Sequence, residues 1–130
     1  MSMSTQRAVL ESIRGMIDAQ GSFAPVMMGT LPAEDGLSMA ASAGREVETT
    51  LAQERTLRLD VVVSARHREQ AAALDALCRI HEGLAIAALP NGAGWQVTGI
   101  RTGSAPALVG LEGSQWLYGS ALEVTYAEWQ

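Results

Sequence analysis

Lysine is absent from this 130-residue chain, and all nine of its basic residues are arginine. That removes Schiff-base chemistry and any lysine-dependent phosphate loop. Cys78 is the only cysteine, so no intramolecular disulfide can form and nothing points to an oxidising compartment. Aromatic residues make up only 5% of the chain, which leaves Leu, Ile, Val and Met to build most of the core. No run of about 18 apolar residues occurs, and Met1 to Gln20 lacks an apolar block behind a basic region, so neither a membrane span nor a secretory leader is expected. Positive charge is scarce as well: nine arginines face fourteen carboxylates, for a net charge of −5. Arg45, Arg55, Arg58, Arg66, Arg68 and Arg101 are interleaved with Glu46, Glu48, Glu54, Asp60 and Glu69. A nucleic-acid surface concentrates cations to neutralise phosphates, so specific nucleic-acid binding is not expected.

What is present reads as one domain over residues 1–130, with roughly two-thirds of the unfolded surface buried on folding. A thin core in a small domain favours assembly, because contact with a copy or a partner covers further apolar area. From about Ser4 to Gln20, Val9, Ile13, Met16 and Ile17 recur at helical spacing, and Gly21 suits the left-handed residue that ends a helix. A short extended piece is expected at Val26-Met27-Met28 and a strand at Leu37 to Ser42. The charged span Gly44 to Glu54 then reads as a link to a clearer strand, Arg55 to Ser64. There Leu57, Leu59, Val61 and Val63 alternate with more polar residues and predict a buried odd-numbered face. Arg66 to Gly83 predicts a second helix. Strands follow from Trp95 to Arg101 and from about Trp116 to Tyr126, the latter carrying Trp116, Tyr118, Leu122, Val124 and Tyr126 on one face. The fold class is α+β, a mostly antiparallel sheet of four to five strands packed against two helices. Three connections of roughly ten to fifteen residues, near 24–36, 85–94 and 102–115, are long against a usual median of about 4–6 and suit surface contacts.

Candidate chemistry is sparse. Cys78 and His81 lie three apart on one helix face, a spacing open to two metal ligands or a thiolate–imidazole pair. A zinc site needs three or four ligands, however, and the only other histidine, His67, lies far along the chain. A buried thiol beside a half-buried histidine is the ordinary outcome. Gly92-Ala93-Gly94 and Gly110 through Gly113 open no helix after a strand and read as turns. No catalytic residue, metal ligand or cofactor is therefore expected. At period two on an apolar strand, Trp116 and Tyr118 read as core, with Trp116 also able to anchor a subunit contact.

Taken in order, Leu31-Pro-Ala-Glu-Asp-Gly-Leu37, Asp60-Val-Val-Val-Ser64, Leu74-Asp-Ala-Leu77, Trp95-Gln-Val-Thr-Gly-Ile100, a Pro106/Gly110 segment and Gln115-Trp-Leu-Tyr-Gly-Ser120 resemble the bacteriophage minor capsid proteins that belong with the tail terminators. The resemblance spans roughly residues 31 to 127. It implies a virion structural protein at the head–tail junction, made in the host cytoplasm. Such a protein forms a ring, usually hexameric, that stops polymerisation of the tail tube protein and docks the head–tail connector protein. It implies no catalysis, and it makes Trp95, Tyr118 and Gly119 fold-defining. An open sheet edge covered by a heterologous, rotationally repeated contact would close such a ring. Arg45, Arg55, Arg58, Arg101 and Trp116 are the expected subunit or partner contacts. DNA passing through the ring would meet a chain of negative net charge. The rival readings are a head–tail joining protein at the connector, a non-viral adaptor domain binding one protein partner, and a small hydrolase built on Cys78 and His81.

Overall fold

Alternation in two strands organises the molecule. In a computed structural model that describes residues 3–49 and 54–129, Leu57, Leu59, Val61, Val63 and Ala65 are all buried, and so are Tyr118, Ser120, Leu122, Val124 and Tyr126. The two sets belong to adjacent antiparallel strands, β3 (Arg55–His67) and β6 (Gln115–Glu128), and face each other pair by pair from Leu57↔Tyr126 to Ala65↔Tyr118. Side chains at period two on paired strands share one face, so this register builds the floor of the core in one step. Ser120, the polar member of the row, donates its hydroxyl to the Val63 carbonyl at 2.8 Å.

The helices α1 (Met3–Ala19) and α2 (Gln70–Ile86) cover that face. Val9, Ile13 and Ile17, one turn apart, are the buried stripe of α1, while α2 buries Ala73, Ala76, Leu77, Ile80, His81 and Leu84 against β3, β5 and β6. The helix α1 runs out at Gly21, whose φ of 69° is the left-handed conformation expected there. The second helix starts at Gln70 rather than Arg66, because β3 continues to His67.

The remaining strands are β1 (Val26–Met28), β2 (Gly36–Thr49), β4 (Asn91–Gly92) and β5 (Trp95–Glu112). The sheet therefore has six strands, not four or five, in the order β1-β2-β3-β6-β5-β4. It is antiparallel except for the parallel pair β1–β2. Two expected connections prove to be strand. From Gly44 to Thr49 the span read as a charged link continues β2, paired to β3 as far as Thr49↔Arg55; residues 50–53 lie outside the described residues. The 102–115 segment is a long hairpin, in which β5 pairs with β6 to Glu112↔Gln115 across the two-residue turn Gly113-Ser114. Both escaped alternation for the same reason. They are outer strand halves exposed on both faces, so their residues were under no constraint to alternate. Their ladders do not run evenly: β5 slips register four times against β6, and Pro106 falls within one of the slips, where a missing N–H is tolerated.

Candidate interface surfaces

Each long outer strand is covered at one end by a short one. Beside β2, strand β1 spans Leu37 to Met39 and leaves residues 40–49 as the sheet edge. Beside β5, strand β4 spans only Trp95 and Gln96, with one further bond from Val97 N–H to the Pro90 carbonyl at 2.9 Å, and leaves the rest as the opposite edge. Because Gly36 and Glu112 lie at one end of the sheet while Thr49 and Trp95 lie at the other, the uncovered halves occupy diagonally opposite corners. The two edges are thus stepped in complementary fashion.

Their chemistry differs. The free half of β2 carries Arg45, Glu46 and Glu48, whereas β5 holds no charged residue from Thr102 through Leu111. On β5, Leu108, Val109 and Leu111 are exposed, and so are Phe23, Met27 and Met28 on and before β1; the six range from 39% to 65%. Leu108 and Leu111 pair with Tyr118 and Trp116 and so lie on the helix-bearing face. Val109 lies on the other face, where its Cγ2 is 3.1 Å from the point a Cβ on Gly119 would occupy. A third exposed apolar group, Ile86, Leu89 and Trp129, sits at the sheet end marked by Trp95. Sequence alternation could not reveal these edges, although the uncharged stretches 19–33 and 102–111 were their trace.

The open face of the sheet carries an ion cluster around Glu123. Arg101 Nε donates to Glu123 Oε1 at 2.7 Å, and Arg58 Nε lies 3.4 Å from the same oxygen. With Thr98, Gly99 and Thr125 they line a shallow depression. On the helix-bearing face, in line with Leu57, Arg55 sits 3.9 Å from Glu46 and 4.0 Å from Glu128. Three of the four expected contact arginines thus have carboxylate partners within their own chain, while Arg45 is exposed on free β2. Trp116 is half-buried against the core, across from His67.

The expected fold-defining residues occupy structural positions. Trp95 is buried, its indole lying over Gly92, where an added Cβ would come within 2.5 Å of the ring. Tyr118 is buried in the core and accepts a hydrogen bond from Gln70 Nε2 at 2.8 Å, tying the first residue of α2 to β6. Asp35 plays a similar part at the hairpin turn. Its Oδ1 accepts from Gln115 Nε2 at 2.8 Å and from the Arg68 N–H at 3.1 Å, and its Oδ2 lies 3.4 Å from His67 Nε2.

His81 and Cys78 exchange the roles expected of them: His81 is the buried residue, at 7% exposure, and Cys78 the half-buried one. The imidazole Nδ1 bonds Thr102 Oγ1 at 2.8 Å, while Nε2 is buried without a partner. Burial lowers the His81 pKa from its ordinary value, so the ring is held neutral, as a link between α2 and the base of the β5 edge. Among the described residues no three His, Cys, Asp or Glu side chains come together as a metal site, and no helix is long and apolar enough to cross a membrane.

No protein-family model and no curated protein matches the sequence. Three of the ordered motifs lie in the sheet. Asp60 to Ser64 lies in central β3, Trp95 to Ile100 opens β5, and Gln115 to Ser120 opens β6.

Proposed function

We propose that this chain is a bacteriophage tail terminator, a virion structural protein that assembles into a ring, on this reading a hexamer, at the head-proximal end of the tail tube. The ring stops addition of tube subunits and offers its other side to the head–tail connector. One observation carries the reading: a two-layer α+β unit whose single sheet ends on both sides in stepped, incompletely paired edges. A heterologous contact repeated by rotation pairs one edge with the other and leaves none at closure. The ordered motifs supply the phage assignment, and the exposed Ile86, Leu89 and Trp129 at one end of the sheet supply an axial docking patch. Binding by shape needs no catalytic group. The His81 Nδ1 bonds Thr102 Oγ1, not Cys78.

Electron microscopy of the purified protein with and without tail tubes tests this. Rings seated on tube ends, with tube growth halted, are the expected outcome. Binding to connector particles but never to tubes would move the assignment to a head–tail joining protein, and a monomer that binds neither would overturn it.

A further inference from the structure

We propose that copies of this chain join edge to edge, with the apolar end of β5 in one copy (Leu108 to Leu111) seated against β1 and its approach (Phe23, Met27 and Met28) in the next. The inference rests on the ring reading in naming which surfaces meet, but it makes its own claim about the contact.

Strand direction is the first argument. Strands β1 and β2 run from the Gly36 end of the sheet to the Thr49 end, and β5 runs the opposite way. Copies related by rotation about an axis along the strands keep the same orientation, so β5 of one lies antiparallel to β1 of its neighbour. That continues a sheet that is already antiparallel at almost every step.

Shape is the second. At the Glu112 end the β5 edge is recessed, because β4 reaches only as far as Gln96 along β5, and at that level the opposite edge projects as β1. At the other end β4 projects and β2 is recessed. In the joint, β1 of one copy and β4 of the other occupy the same column between two long strands, each filling the step that the other leaves. The third argument is surface chemistry. Both apolar sets lie at the same level of the sheet on opposite edges and inside uncharged stretches, so joining them desolvates apolar area, and the Asp18 carboxylate beside Val26 keeps Arg14 within 4.0 Å as a partner. The Val26 N–H is already taken by Asp18 Oδ1 at 2.8 Å, so side chains at this joint contribute more than the backbone ladder. An isologous β5–β5 pair would leave Phe23, Met27 and Met28 uncovered and would place Pro106 in both facing strands.

Two variants at exposed positions, Leu108→Asp and Met28→Asp, separate the possibilities by light scattering, with circular dichroism to verify folding. The wild type is expected to associate into a closed species. Each variant alone is expected to remain monomeric, and their equimolar mixture to yield a heterodimer, because each supplies the edge that the other lacks. Ile86→Asp, at the far end, is expected to assemble like the wild type. The proposal is overturned by a wild type that stays monomeric at its highest soluble concentration, by variants that assemble normally, or by a mixture that stays monomeric. It is also overturned if Leu108→Asp blocks assembly and Met28→Asp does not, the signature of an isologous pair. Normal edge-dependent assembly that ignores tail tubes would leave this contact standing and remove only the tail-terminator role.

Discussion

The uncovered halves of β2 and β5 have the same geometry and opposite chemistry. Both are outer strands paired on one side, both are exposed on both faces, and both slip register against their central neighbours. Yet the β2 half carries Arg45, Glu46 and Glu48, and the β5 half carries Leu108, Val109 and Leu111. Charge on an edge discourages indiscriminate strand addition. The contrast teaches that edge exposure alone does not define an interface. One edge is guarded and one is left open, and the open one needs a cover of its own kind.

The largest effect is expected where the two outer strands depend on a shared interior. Leu122, fully buried in β6 between β3 and β5, should cost about 2–5 kcal/mol when cut to alanine, read by denaturant unfolding. Gly92→Ala should come next. It drives a Cβ into the Trp95 indole and should destabilise the covered corner of β5 by about 1–3 kcal/mol in the same assay.

A pH series then separates the strands chemically. His81 touches β5 through Thr102. Because burial lowers the His81 pKa, the unfolded chain takes up the proton first as pH falls below 6.5. Stability should therefore be complete above that value and decline below it until the folded imidazole also titrates. His81→Gln should flatten the decline. At the alkaline end Tyr126 behaves in the opposite sense. Burial, with Glu128 adding to it, raises its pKa from 10.0 to about 12, so stability should fall as pH climbs through that window, and phenolate absorbance should lag the free phenol.

The edge chemistry itself can be inverted. Glu46→Val with Glu48→Val turns the guarded edge apolar and should produce concentration-dependent aggregation absent from the wild type, measured by light scattering. The smallest effect is expected from Arg101→Ala. Its pair with Glu123 is solvent-exposed, and such pairs contribute about 0–1 kcal/mol. A larger loss there would mean that the open-face ion pairs hold β5 in place and that its exposure is not intrinsic.

Legibility followed burial. Strand β3, strand β6 and helix α1 could be read from sequence because each presents one face to the core, which forces Leu57-x-Leu59-x-Val61-x-Val63 and Val9, Ile13, Ile17 into period. The outer half of β5 and β4 could not, because Gly and Pro in 102–111 signal a break in any context that lacks a partner strand. Arginines 55, 58 and 101 were legible as charges but not as pairs, since their carboxylates are 9 to 73 positions away in sequence and are brought close by register alone. Trp116, expected as core and as a contact, is half-buried beside exposed Leu111.

Composition and periodicity were enough for the α+β class, the two helices, the two central strands and the net negative charge. Tertiary structure alone decided that Ser64 pairs with Gly119 and that β1 and β4 each stop short of covering a longer neighbour. Alternation records which face of a strand is buried. Which strand lies beside it depends on contacts between distant segments, and no local pattern in the chain encodes those.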